Sequence, residues 1–123
     1  MTTATGTTTL AVVTAFNDAF NTRSVDAVDR LLAEDCVFEG TTPPDGERYA
    51  GRDAVRDAFA GVFAGSAQGA FTTEETIVAG ERAVVRWRYD WVAHDGRPGH
   101  VRGVDVFTVR HGRVAEKLAY VKG

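Results

Sequence analysis

The stretch Gly103-Val104-Asp105-Val106-Phe107-Thr108-Val109 alternates with the period of a half-buried β-strand. Asp105 falls on the face shared by Gly103, Phe107 and Val109, while Arg102, Val104, Val106 and Arg110 share a mixed opposite face. A carboxylate beside Phe and Val is either neutralised by partners or holds its proton more tightly than usual. Both situations are commonest where chemistry or ligand binding occurs. The alternative is a structural Asp that accepts backbone donors.

The pattern around this stretch sets the fold class. Phe71 to Ala79, Arg82 to Ala93, His100 to Val109 and Arg113 to Val121 all read as strands. They are separated by turns at Gly80-Glu81, at residues 94–99 and at His111-Gly112, with hairpin-like Asp95-Gly96 and His111-Gly112 pairs. Upstream, Leu10, Val13, Phe16 and Phe20 recur at helical spacing, and Thr8 or Thr9 can cap that first helix. Residues 1–8 read as a flexible Thr/Gly-rich tail, and residues 9–123 as a single domain. Ser24 caps a second helix with Asp26 in its first turn. Cys36-Val37-Phe38-Glu39 is a short strand, and Thr42-Pro43-Pro44-Asp45-Gly46 is a loop. Gly51 precedes a third helix with Asp53 in its first turn, an inner stripe of Val55, Phe59, Val62 and Phe63, and an end near Gly65.

Three helices followed by a long antiparallel meander predict an α+β fold in which the helices cover one sheet face. A strongly curved sheet closed by helices on one side would leave a conical pocket. The aromatic residues available to line it are Phe16, Phe20, Phe38, Phe59, Phe63, Trp87, Tyr89, Phe107 and Tyr120, which otherwise simply fill the core. Between Arg82 and Ala93, Val85, Trp87, Tyr89 and Trp91 point one way, and Val84, Arg86, Arg88 and Asp90 the other. The charged row is either a solvated outer face, with Arg88 and Asp90 paired at little net energy, or part of a polar pocket.

Composition narrows the partners. A formal charge of -3 and a sequence pI near 5.5, with arginines scattered and no basic block, argue against nucleic acid. No long apolar run follows the uncharged Met1-Thr2-Thr3-Ala4-Thr5-Gly6-Thr7-Thr8-Thr9 segment, so no membrane span or leader is expected and the location expected is cytoplasmic. Cys36 is the single cysteine, which forbids an internal disulfide, and the three histidines have no metal-ligand spacing. Neither a metal nor a dinucleotide loop is indicated, so no cofactor is expected.

Several strings place the chain by resemblance. These are Phe20-Asn21, Leu32-Ala33-Glu34-Asp35-Cys36-Val37-Phe38, Tyr49-Ala50-Gly51-Arg52-Asp53-Ala54-Val55, and Gly103-Val104-Asp105-Val106-Phe107 through His111-Gly112-Arg113-Val114. With the order of elements, they resemble the ketosteroid-isomerase-like, or NTF2-like, superfamily and within it the SnoaL-like group, from Leu10 to Tyr120. That resemblance implies a cone-shaped α+β barrel, with three N-terminal helices packed on a curved, mostly antiparallel sheet. It also implies that Asp105 matches a strand Asp which, in ketosteroid isomerases, stays protonated and donates to a developing oxyanion. The family's oxyanion tyrosine falls on Phe16, and its base on or near Gly40, beside Glu39. Arg88 and Asp90 are similar to an Arg/Asp pair of limonene-epoxide hydrolases, but a further Asp of that set falls on Ala119. Neither activity therefore transfers whole.

Two classes of function remain. One is an enzyme on a small, mostly apolar carbonyl or polyketide-like molecule, an isomerase, cyclase or dehydratase working by acid–base chemistry. Asp105 would be its acid or base, with Tyr89, Tyr49 or His100 as a second polar contact. The other is a non-catalytic ligand-binding or dimerisation domain, and the resemblance implies a homodimer through the sheet. A pocket of roughly 300 Å³ or more around Asp105, with a second titratable group in reach, would favour the enzyme.

Overall fold

The computed structural model describes residues 4–122. Helix α1 spans Ala4–Asn21, α2 Val25–Leu31 and α3 Arg52–Ala64. The strands are β1 Leu32–Glu39, β2 Arg48–Ala50, β3 Gln68–Ala79, β4 Arg82–Val92, β5 Pro98–Arg110 and β6 Arg113–Val121. They form one mixed sheet in the order β2-β1-β6-β5-β4-β3, in which only the β1–β6 pairing is parallel among the described residues. The sheet is curved but not closed, and the architecture is the NTF2-like cone that the sequence predicts. Register shifts in β3 between Thr73 and Glu75, in the β5–β6 pair between Thr108 and Val109, and along β1 let long strands bend around the helices.

The helix ends follow local chemistry. The Ser24 side chain accepts a hydrogen bond from the Ala27 backbone N at 3.1 Å, and Asp26 faces the positive end of α2. α3 starts after Gly51, whose φ of 92° lies in the region glycine tolerates best. Arg52 then grips Asp29 with two hydrogen bonds of 3.1 and 3.0 Å, fastening α3 to α2.

α1 departs from the sequence reading. It begins at Ala4, so residues 4–8 extend the helix and are no tail; residues 1–3 of the expected tail lie outside the described residues. Its buried face runs through Thr9, Val12, Val13, Phe16, Ala19 and Phe20, while Leu10 is 43% exposed. Thr9 is not a cap: from within the helix its hydroxyl lies within hydrogen-bond reach of the carbonyls of Thr5 (3.0 Å) and Gly80 (2.7 Å), which share its one proton. Those bonds let a polar side chain occupy the face that Leu10 was expected to fill.

Between helices and sheet lies an aromatic core. Phe16 meets Phe59 and Phe107 edge-on at 5.5 and 5.7 Å, and Phe20 meets Phe71 at 4.6 Å and Phe63 at 5.0 Å. Each fully buried ring stabilises the fold by roughly 1.5–3 kcal/mol through area alone. Phe16, Phe59 and Phe107 are among the most completely buried side chains.

Candidate functional site

Odd-numbered residues of β5 face the helices, so Val101, Gly103, Asp105, Phe107 and Val109 line the concave side and even-numbered ones point away. Register carries this parity to the neighbouring strands. Asp105 pairs with Ala119 and Val85, Phe107 with Lys117, Gly103 with Trp87, and Val101 with Tyr89. Asp105 is 2% exposed and Lys117 5%.

Lys117 Nζ lies 3.6 Å from Asp105 Oδ2, an ion pair rather than a close hydrogen bond. The same ammonium is ringed by Phe16, Phe20, Phe38, Phe59 and Phe71, whose centroids lie 5.6, 5.6, 5.2, 5.0 and 5.6 Å away. Rings at this distance favour a cation, by roughly 0.5–2 kcal/mol for a desolvated contact. Asp105 Oδ1 and Trp87 Nε1 are buried and lack a well-formed hydrogen bond among the described residues. The indole N–H still lies near enough to the carboxyl to favour its ionised form. Burial is the larger influence and holds the Asp105 pKa above the ordinary value, with Lys117 and then Trp87 pulling the other way.

Asp105, Lys117 and Trp87 form part of the wall of a cavity of about 210 Å³. Phe20, Phe38, Tyr49, Phe59, Phe71, Trp87 and Tyr89 supply its apolar surface, and Gly40, Thr41 and Glu47 also line it. The volume is below the size expected for the catalytic reading and suits a small ligand. Trp87 can lie across the sheet because position 103 is glycine: a Cβ there would come within 2.9 Å of the indole ring. Tyr49 stacks on Phe38 at 5.8 Å, near the same opening.

The structure brings some sequence candidates together and disperses others. Asp105, Tyr89, Tyr49, Phe20, Phe38, Phe59 and Trp87 line the cavity. Phe16 and Phe107 lie outside its lining, fully buried, and Phe63 packs on Phe20 outside it. His100 does not join the site; it is an exposed, even-numbered residue of β5, paired with Asp90 on the convex face. Tyr120 is also misplaced in the sequence reading, being 54% exposed and part of a shallow groove on the convex face with Glu74, Arg86 and Arg102. Arg88 and Asp90 bond each other at 3.0 Å on that side, with side chains 36% and 51% exposed, which ends their candidacy.

Lys117 and Phe71 are the residues that sequence reasoning missed. For Lys117 a signal existed: the chain has fourteen basic residues, of which only Lys117 and Lys122 are lysines. Among the described residues no three His, Cys, Asp or Glu side chains could hold a metal together, and no helix is long and apolar enough to cross a membrane.

Comparison with known proteins places this geometry in a wide group. Residues 13–117 match the family described as SnoaL-like domain. A crystal structure of an NTF2-like protein of unknown function from Mesorhizobium loti is 41% identical, with a TM-score of 0.83 over 96% of this chain and 93% of that one. An LEH-like epoxide hydrolase from M. tuberculosis superposes with a TM-score of 0.82 at 19% identity, over 95% and 84% of the two chains. A protein provisionally named a SnoaL-like polyketide cyclase, from Jannaschia sp. CCS1, gives 0.84 at 18% identity, over 98% and 89%. Such distant likenesses establish the fold alone. Among curated proteins none matches.

Proposed function

Because the chain belongs to the SnoaL-like domain family, we propose that it is an enzyme that moves a proton beside a carbonyl group. Its substrate would be a small, mostly apolar carbonyl or polyketide-like molecule, and the reaction an isomerisation, cyclisation or dehydration. The observation that carries this reading is a buried carboxylate, Asp105, in an aromatic cavity with one ionic partner and an unpaired oxygen. An ionised Asp105 has a free lone pair to take a proton from an activated carbon. Lys117 and the Trp87 indole N–H supply positive charge and a donor on the same wall, where an enolate oxygen would need them. They would do the work that a hydroxyl at position 16 cannot, since Phe16 has none.

The test is deuterium exchange at the α-carbon of a small apolar ketone such as phenylacetone, followed by NMR. Exchange above the buffer rate, lost in Asp105→Asn while the ketone still binds, supports proton transfer by this carboxyl. Binding with no exchange in either protein would replace the enzyme with a ligand carrier.

We also propose a homodimer through the convex sheet face. Ile77, Val84, Val106 and Leu118 are successive cross-strand partners on that face and form an apolar row across four strands, with Ile77 56% exposed. Light scattering of the wild type and Val106→Glu tests it: a monomer in both would end the idea.

A further inference from the structure

Lys117 has a chemistry that a mere counter-ion for Asp105 would not need. Every described ion pair but this one is made by arginine. A guanidinium would bring the same charge; only the amine can offer a nitrogen lone pair to carbon. The amine sits in an apolar cage, lines the cavity, and has a carboxylate 3.6 Å away that can take its proton. An apolar cage suits a lysine that forms a Schiff base, and because the rings favour the ammonium, Asp105 has to take its proton before the nitrogen can attack.

Building on the carbonyl reading above, we propose that Lys117 is a covalent catalytic residue that condenses with small apolar aldehydes and ketones. Asp105 first accepts a proton from the ammonium, freeing the Nζ lone pair. That pair attacks the carbonyl carbon, the C–N bond forms, and the oxygen takes the proton back from Asp105. Asp105 next removes a second proton from nitrogen and delivers it to the departing hydroxyl. Water leaves, the nitrogen pair closes the C=N bond, and a protonated imine remains beside a carboxylate. The same carboxylate then takes the α-proton, and the C–H pair becomes a C=C bond as the C=N pair returns to nitrogen. Reprotonation at carbon and hydrolysis by water reverse these steps and release the amine. No oxidant, reductant or metal enters the balance. The burial that raises the proton affinity of Asp105 makes it a competent acceptor in the first step.

The experiment is reductive trapping on the whole chain. The protein is incubated with phenylacetaldehyde, treated with sodium borohydride and mapped by peptide mass spectrometry. The expected result is one phenethyl group on Lys117, in preference to the exposed Lys122 and the terminal amine, with the preference lost in denaturant. Lys117→Arg should lose both this adduct and phenylacetone exchange, and Lys122→Arg should lose neither. Adducts confined to Lys122 and the terminus would overturn the covalent role. If exchange then still depends on Asp105, the carbonyl enzyme survives without its Schiff base; if exchange is absent too, both fall.

Discussion

Asp105 and Lys117 are diagonal neighbours across the β5–β6 ladder, since Asp105 pairs with Ala119 and Phe107 with Lys117. The small Ala119 opposite the carboxylate leaves room for the lysine stem to lean toward it, and the ion pair closes at 3.6 Å. Both charges are more than nine-tenths buried, so each depends on the other for compensation.

Removing one partner should therefore hurt more than removing both. Lys117→Met should cost about 3–5 kcal/mol, because a lone carboxylate is left in the aromatic cavity. Replacing both, as Asp105→Leu with Lys117→Met, should leave stability equal to or above wild type by about 1–4 kcal/mol. Urea unfolding of wild type and the two variants measures this; a double variant no more stable than Lys117→Met would refute the coupling.

The raised proton affinity of Asp105 fixes a sign. Between its ordinary value of 3.8 and its higher value in the fold, the native protein binds more protons than the unfolded chain. The stabilising contribution of the protonated carboxyl is present below 3.8 and is lost as pH rises through the higher value. Against Asp105→Asn, wild type should thus lose relative stability on going upward through that window. Proton abstraction should rise over the same window, since it needs the carboxylate. Carboxyl carbon NMR and thermal melts at matched pH would show both, and an unshifted Asp105 would remove the argument.

Trp87→Phe offers a finer check. The indole N–H favours the ionised carboxyl, so its loss should raise the Asp105 pKa further. Stability should fall by about 1–2 kcal/mol through the cavity the smaller ring leaves over Gly103, not through a lost hydrogen bond, since Trp87 Nε1 lacks a well-formed partner. Carbonyl-ligand affinity should fall if that donor serves the ligand.

Cys36 should be inert. It is 1% exposed, and burial pushes its thiol up to about 11. Native protein at mildly alkaline pH should resist iodoacetamide and react once unfolded. Fast labelling of the native state would contradict the packing around β1.

Arg52→Ala should loosen α3 from α2 modestly, since the bidentate pair it removes has some water access. The Arg52 guanidinium holds Asp29 below its usual 3.8, so this stabilisation is complete above 3.8 and fades as pH falls through the lowered value. The variant should accordingly show less acid dependence than wild type in that range.

Period-two patterning made most of the sheet legible. It put Trp87 and Tyr89 on one shared face, which the structure turns to the concave side, and singled out Asp105, because those strands have one plainly apolar face. The same rule failed on β6. There Leu118 and Tyr120 look like the inner row, but register with β5 turns Ala115, Lys117 and Ala119 inward. Hydrophobicity alone cannot choose between faces when the outward one is the more apolar, so Lys117 was missed and Tyr120 was wrongly placed in the pocket. His100 is a different failure: its parity with Asp105 already puts it on the opposite face. For α1 the inner face is off by one position, Thr9 in place of Leu10, since no propensity scale anticipates that Thr9 finds two carbonyl acceptors within the fold.

The five phenylalanines around Lys117 also act on ligand charge. An aromatic box of this kind ordinarily welcomes an external cation, but here the chain has filled it with its own ammonium. A second positive charge entering the cavity would meet repulsion with little water to screen it. On the proposed reading, a ligand's neutral or negative end should therefore seat against Lys117, and a positive end away from it, toward Asp105 Oδ1 or Glu47.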